Sequence, residues 1–245
     1  MTPLVLAGIA AAVCLAGFVQ GILGFGFGLV SMAIIPMLIG VKGAVPLVAV
    51  FGGCVNATLL VRFWGSLDAR AASPLLIGTV AGLPVGVYLL RSLDPAVLFI
   101  ALGVVVGAWV LNALRPGTKH AELGARSGRV LGVISGVLGG AFASGGPPAV
   151  VWISSKPWGP GQLRATLLAG FVIIAIGQWS LFGATGMLGL DEFKTAAICL
   201  PAAGVGSFLG ARVGDRIEPA KFKRMMIIAL AVVAANFVFK GIQGL

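Results

Sequence analysis

Residues 21–30 read GILGFGFGLV and place glycine at positions 24, 26 and 28, alternating with Phe25 and Phe27. Each glycine in a helix interior costs about 1 kcal/mol relative to alanine. Three glycines within five positions therefore predict a break in an otherwise aliphatic, helical stretch. The purpose of such a break depends on the solvent around it, which the composition indicates.

The chain is unusually apolar. Of its 245 residues 59% are hydrophobic and 10% are charged, against roughly 25% charged residues in soluble domains. The apolar runs are long and continuous and lack the alternation of barrel strands. In lipid, helices then provide the hydrogen-bond partners that the backbone N–H and C=O groups need. The sequence predicts an all-α polytopic membrane protein, with the lipid bilayer as a partner.

The chain contains an internal repeat. GFVQGILGFGF at 17–27 aligns with GVISGVLGGAF at 132–142, and GLPVGVYLLRSLDP further along the first half aligns with GSFLGARVGDRIEP in the second. This predicts two transmembrane repeats, 1–115 and 129–245, joined by a charged cytoplasmic linker, 116–128. Repeats of this kind are common in transporters, where substrate binds at the repeat interface.

Each predicted repeat begins with a Gly-rich segment and continues with three apolar runs of about 20 residues, the length that a spanning helix needs. The runs are 44–63, 72–91, 95–114, 165–184, 192–212 and 220–240. Arg129 and Lys156 bracket a second Gly-rich segment that is too broken for one straight helix. Re-entrant helical hairpins are predicted in both repeats, although the first could also be a full span followed by a half-helix.

The distribution of basic residues favours the hairpins. With two hairpins, all but four of the 17 Lys and Arg residues fall on one side of the membrane, which predicts the cytoplasmic side. The four opposite are Lys42, Arg91, Lys194 and Lys240. The repeats are then inverted and both termini lie outside the plasma membrane. The net charge of +10 is interpreted as a topology signal, so no nucleic-acid partner is predicted.

The tips of the hairpins are the predicted binding site. Non-helical backbone at membrane depth survives where it is buried in protein or lines a cavity. Ser144 is predicted to cap a short helix with prolines in its first turn, and helix N-termini favour anions. The candidate substrate-binding residues are Gln20, Gly24, Phe25, Gly26, Phe27, Gly28, Ser31, Asn56, Ser144, Gly145, Gly146, Pro147, Arg164, Thr166 and Gln178.

Some of these residues have a second interpretation. Phe25 and Phe27 are either lipid-facing fillers or apolar gates beside the site. Arg164 either extends from a helix end to the membrane surface or attracts an anion. The embedded amide and hydroxyl side chains could join helices by hydrogen bonds. Glycine pairs spaced i, i+4, such as Gly17/Gly21 and Gly206/Gly210, predict close helix packing, within the fold or in a homodimer.

Other function classes lack the residues they need. The seven acidic residues lie in loops or at span ends, and the single histidine, His120, lies in the linker. The sequence therefore offers no buried carboxylate or histidine relay for coupling, and no nucleophile–base pair, metal cluster or nucleotide loop. We predict no enzyme, no cofactor and no metal. An anion can leave a cell down the membrane potential without a coupling ion.

The motifs resemble a known family. GFVQGILGFGFGLVSMAIIPML, then SGVLGGAFASGGPPAVVWIS followed by LRATL, is similar to the TauE/SafE family of sulfite and organosulfonate exporters, a group of 4-toluene sulfonate uptake permease-like transporters. The second tip, SGGPP, departs from the glycine-rich pattern of the family. The resemblance implies export of a small sulfur-containing anion such as sulfite or sulfoacetate by alternating access. An anion channel, an uptake permease and a scaffold without transport remain open.

Overall fold

The computed structural model describes residues 2–114 and 122–214, and residues 231, 234–235, 237–239 and 241–243 of the last segment. All regular structure in these residues is helical, so the all-α prediction is confirmed. The helices are α1 Pro3–Leu23, α2 Phe27–Phe63, α3 Ala69–Ser92, α4 Pro95–Leu114, α5 Ala125–Phe142, α6 Gly146–Ser154, α7 Pro160–Ala184 and α8 Leu190–Gly214, with a short 3-10 turn at Trp64–Ser66.

Five helices in the described part of the chain are long and apolar enough to cross a membrane, which identifies a multi-pass membrane protein. They are Pro3–Ile22, Phe27–Ser66, Ala69–Ser92, Pro160–Ala184 and Leu190–Val213. The predicted runs 44–63, 72–91, 165–184 and 192–212 fall within them, and the run 95–114 coincides with α4. Outside the described residues lie Arg115, Lys119, His120, Asp215, Arg216, Glu218, Lys221, Lys223, Arg224, Lys240 and most of the run 220–240.

Helix α2 consists of two arms separated by Gly40, whose φ of 73° and ψ of 165° are not helical. We call the arms α2a (27–39) and α2b (41–63). Gly26 lies beside Val19, and Leu38 lies beside Gly8 near the start of α1. Residue numbers rise along α2a while those of the contacting residues in α1 fall, so the two helices are antiparallel. The chain changes direction again at Gly40.

Helix α6 similarly returns along α5. The side chain of Trp152 in α6 lies beside Gly128 in α5, and its Nε1 donates to the carbonyl of Gly124 at 3.2 Å. The chain reverses between these helices at Ala143–Gly145. Both Gly-rich segments thus contain a helix break and a reversal of chain direction.

Glycines bring pairs of helices into backbone contact. A Cβ added to Gly206 would overlap the carbonyl of Cys14, and one added to Gly210 would overlap the carbonyl of Phe18. Residue numbers rise together along this contact, so α1 and α8 run parallel. Helices α3 and α5 pack in the same way through Gly82 and the glycines 132, 136 and 140. The prediction of close packing at these glycine pairs is confirmed within one chain.

The central pair of helices runs in opposite directions. Gly53 of α2b lies against Trp179 of α7, and Ser66 beyond the end of α2b lies beside Gly161 at the start of α7. The Trp179 indole Nε1 donates to the carbonyl of Ala49 at 3.1 Å and ties the two helices together. The two helix breaks meet beside this antiparallel α2b–α7 pair.

Two neighbouring glycines of α8 should respond oppositely to alanine. Gly206→Ala introduces a methyl group into the Cys14 carbonyl and should lower the free energy of unfolding by about 1–3 kcal/mol. Gly204 has open space around a Cβ, so Gly204→Ala should raise it by about 0.5–1 kcal/mol. Thermal unfolding in one detergent measures both. Equal effects of the two substitutions would contradict the α1–α8 contact.

Candidate functional site

A small cavity lies where the two helix breaks meet, between α2b and α7. We call the breaks the first tip (24–26) and the second tip (143–145), and the space between them the tip cavity. Its volume is about 40 Å³, and roughly 10–15 Å³ is enough for one water molecule. The cavity can therefore hold a few waters or one small polyatomic ion. It is lined by Gln20, Phe25, Gly26, Phe27, Gly28, Leu29, Val48, Ala49, Gly52, Gly53, Asn56, Ala143, Ser144, Gly145, Gly146, Phe171, Ile174, Ala175 and Gln178.

The backbones of the two tips touch each other. A Cβ added to Gly28, in the first turn of α2a, would overlap the carbonyl oxygen of Ala143. Ala143 itself has a left-handed backbone, with φ of 49° and ψ of 27°, and caps the end of α5. It is the non-glycine residue with positive φ in the described part of the chain. Such a conformation costs about 1–2 kcal/mol, so the surrounding contacts must hold it in place.

Gln20 fixes the first tip to α2b. Its Oε1 accepts from the backbone N–H of Phe27 at 3.0 Å, and its Nε2 donates to Asn56 Oδ1 at 2.7 Å. The backbone N–H of Phe27 can only donate, so the Gln20 atom that faces it must be the amide oxygen. The Gln20 amide nitrogen then faces Asn56, which must present its own oxygen. Asn56 Nδ2 is consequently left as a donor at the wall of the tip cavity.

Ser144 leaves a hydroxyl group at the second tip without a partner. The residue is 3% exposed, lines the tip cavity, and its Oγ forms no hydrogen bond with the described residues. An unpaired buried hydroxyl costs about 1–3 kcal/mol. The cost would be removed by a bound group that accepts a hydrogen bond from Oγ. This orphan hydroxyl gives the tip cavity a polar group that a bound anion could satisfy.

The predicted role of Ser144 as a helix cap is wrong. The N-cap of α6 is Gly145, and no side chain caps the helix. The N–H of Ser144 instead bonds to the carbonyl of Leu138 at 3.5 Å, so Ser144 belongs to the end of α5. The prediction that prolines occupy the first turn of α6 is confirmed. Because Pro147 and Pro148 carry no N–H, Gly146 keeps the free donor there.

The first tip offers more donors. Helix α2a begins after Gly26, and its first intrahelical bond runs from Val30 N–H to the carbonyl of Gly26. The N–H of Phe27 is occupied by Gln20, which leaves the N–H groups of Gly28 and Leu29. No charged side chain lines the tip cavity among the described residues. Neutral donors at two helix starts suit a small anion.

The structure gathers ten of the predicted site residues around the tip cavity: Gln20, Phe25, Gly26, Phe27, Gly28, Asn56, Ser144, Gly145, Gly146 and Gln178. Gln178 Nε2 donates to the carbonyl of Gly139 at 2.9 Å. Gly24 and Arg164 line a neighbouring cavity of about 120 Å³ instead. Ser31 and Thr166 are buried with unpartnered hydroxyls but line neither cavity, and Pro147 also lies outside both.

Sequence reasoning missed several contributors to the site. Ser135 donates from Oγ to the carbonyl of Gly145 at 2.6 Å and so supports the second tip. The glycine pair at 52–53 lies one helical turn before Asn56, and Ile174 and Ala175 lie one turn before Gln178. Residues three or four positions apart share a helix face. Counting back by one turn from the two predicted amides would have found this part of the wall.

Comparisons with known proteins agree with one another. The family model described as Sulfite exporter TauE/SafE matches residues 9–237. A protein of Cupriavidus necator, described as a probable sulfite/organosulfonate exporter TauE, is 29% identical over 234 residues, which cover 92% of this chain and 91% of that protein. No solved structure matches the chain.

Proposed function

Since the chain belongs to the sulfite exporter TauE/SafE family, we propose that it exports a small sulfur-containing anion, sulfite or an organosulfonate, across the plasma membrane. The anion binds in the tip cavity, where it accepts hydrogen bonds from Ser144 Oγ, Asn56 Nδ2 and the free N–H groups of α2a. The observation that carries this proposal is the buried Ser144 hydroxyl, which has no partner among the described residues and lines a cavity without a described charged side chain.

We further propose that the two halves are inverted repeats with re-entrant hairpins. Support comes from chain directions: α2b runs opposite to α7, which is its counterpart in the second half. The reversals at the two tips agree with hairpins that enter from opposite sides. Alternating access then consists of movement of one hairpin relative to the other, which opens the tip cavity to one side at a time.

The basic residues support a cytoplasmic assignment for one end of the helices. Chain directions put seven basic residues of the described part at the end where α2b finishes and α7 starts: Arg62, Arg70, Arg126, Arg129, Lys156, Arg164 and Arg212. Lys42, Arg91 and Lys194 belong to the opposite end. We propose that the first end is cytoplasmic, because positive charge accumulates there in membrane proteins. The N-terminus is then outside.

Transport in proteoliposomes tests the function. We expect saturable flux of sulfite and of methanesulfonate that follows an imposed potassium-diffusion potential. For a monovalent anion, 100 mV supplies about 2.3 kcal/mol, roughly a fifty-fold equilibrium gradient. Counterflow by unlabelled substrate should accelerate uptake of label. Absence of flux from protein of confirmed fold would reject the function, and potential-driven flux without saturation or counterflow would replace the carrier with a channel.

A further inference from the structure

A second cavity adjoins the tip cavity and contains two arginines. We call it the arginine cavity; its volume is about 120 Å³ and it shares Gln20 with the tip cavity. Arg62 comes from the last turn of α2b and Arg164 from the start of α7. It is lined by Gln20, Gly21, Ile22, Gly24, Leu59, Arg62, Phe63, Arg164, Leu168 and Ala211.

The two guanidinium groups have no anionic partner in the described part of the chain. Neither forms an ion pair there, and no acidic side chain lines the cavity. The Arg164 side chain crosses Gly24 at 3.4 Å from a Cβ built on that glycine, and its guanidinium carbon lies 5.8 Å from the ring centre of Phe63. Both arginines are exposed, and two positive charges that line one cavity without an acidic neighbour attract anions to it.

A simpler role explains part of this positive charge. The end of α1 at Gly24 and the end of α2b, whose last turn contains Arg62, each carry a partial negative charge of about half a unit. The two arginines supply two full positive charges, so the cavity retains a net attraction for anions.

The described residues show no such pair at the opposite end of the helices. Lys42, at the start of α2b, donates from Nζ to the carbonyl of Arg91 at 3.2 Å, at the end of α3. Lys42 lines neither the tip cavity nor the arginine cavity. Among the described residues, cationic side chains therefore gather beside the first tip at one end of the helices.

We propose that Arg62 and Arg164 form an anion-capture site, in which an oxyanion or sulfonate group binds before it passes Gln20 into the tip cavity. As a substrate-loading step this rests on the proposed function, with the arginines facing the cytoplasm. Guanidinium groups pair bidentately with planar arrays of oxygens. Ile22, Leu59, Phe63 and Leu168 form an apolar wall, which suits the short hydrocarbon part of a sulfonate.

Binding and flux measured on the same variants test the capture site. In nanodiscs of phosphatidylcholine alone, Arg62→Gln and Arg164→Gln should each weaken methanesulfonate binding, measured by calorimetry, by about tenfold. The Michaelis constant for sulfite flux should rise similarly, while the maximal rate stays within about twofold. Arg70→Gln is the matched control, because Arg70 lies at the same end and lines neither cavity.

The outcomes separate the capture site from the transport function and from lipid binding. Arginine-dependent anion binding without flux would retain the capture site and reject transport. Saturable flux with unchanged binding in both arginine variants would overturn the capture site and retain transport. Since lipid headgroups share the phosphate chemistry, a parallel series contains phosphatidylglycerol. Loss of bound phosphatidylglycerol in the variants, with methanesulfonate binding unchanged, would assign the arginines to lipid and also overturn the proposal.

Discussion

Gly28→Ala should lower sulfite flux by at least about tenfold, because the methyl group of alanine would force the two tips apart. The added Cβ would overlap the carbonyl oxygen of Ala143, and both groups belong to backbone that cannot rotate away. Overpacking of this kind costs about 1–3 kcal/mol. The tips must then move apart or rotate, and the donors of α2a no longer face the Ser144 hydroxyl. Flux per unit of monodisperse protein measures the effect.

Gly170→Ala is the matched control for this substitution. Gly170 lies inside α7 and outside the tip cavity, and its added Cβ would meet Leu76 at 3.8 Å, an ordinary contact. Its backbone has no positive φ, so alanine fits there. We expect near-normal flux from this variant. Normal flux from Gly28→Ala as well would mean that the tips are not in contact during transport.

Ser144→Ala should weaken anion binding while leaving the protein as stable as before or more stable. A hydrogen bond to a charged group contributes about 1.5–3 kcal/mol, so the Michaelis constant should rise about tenfold to a hundredfold. The hydroxyl has no partner among the described residues, and its removal therefore relieves an unmet desolvation cost. Flux kinetics and thermal unfolding without substrate measure the two changes separately.

Ser31→Ala distinguishes the binding role from burial alone. Ser31 is 0% exposed and its Oγ is also unpartnered, but it lies outside the tip cavity. We expect Ser31→Ala, like Ser144→Ala, to leave the free energy of unfolding unchanged or to raise it. The Michaelis constant should not change. If Ser144→Ala left the Michaelis constant unchanged as well, the orphan hydroxyl would not touch the substrate.

The helices and the breaks could be predicted from the sequence because their signals are local. Continuous apolar runs set the spans, and the glycines of 24–28 end one helix and begin another. The start of α6 was harder. Serine is a residue type that commonly caps helix N-termini, but the N–H of Ser144 bonds to the last turn of α5. When two helix ends lie only a few residues apart, a residue between them can belong to either end. The residue type alone does not show to which end it belongs.

The details of the site depend on contacts between distant residues. Gln20 was predicted for its buried amide, yet its partner Asn56 becomes visible only when α1 lies against α2b. Thr166 has a suitable hydroxyl but does not line the tip cavity, whose wall on α7 is formed by residues 171–178. Arg62 gains its significance only from Arg164, which lies on another helix. Residue type alone gives neither the helix face nor the partner.

The prolines of α6 have a consequence for how the proposed carrier would turn over. The first tip contributes the backbone N–H groups of Gly28 and Leu29, whereas Pro147 and Pro148 leave the second tip with the N–H of Gly146 and the hydroxyl of Ser144. The two hairpins therefore offer an anion different kinds of donor. In the alternating-access cycle that we propose, the anion would leave the two hairpins at different rates when they separate. Loading and release would then differ in rate between the two faces, while the equilibrium distribution would be unaffected.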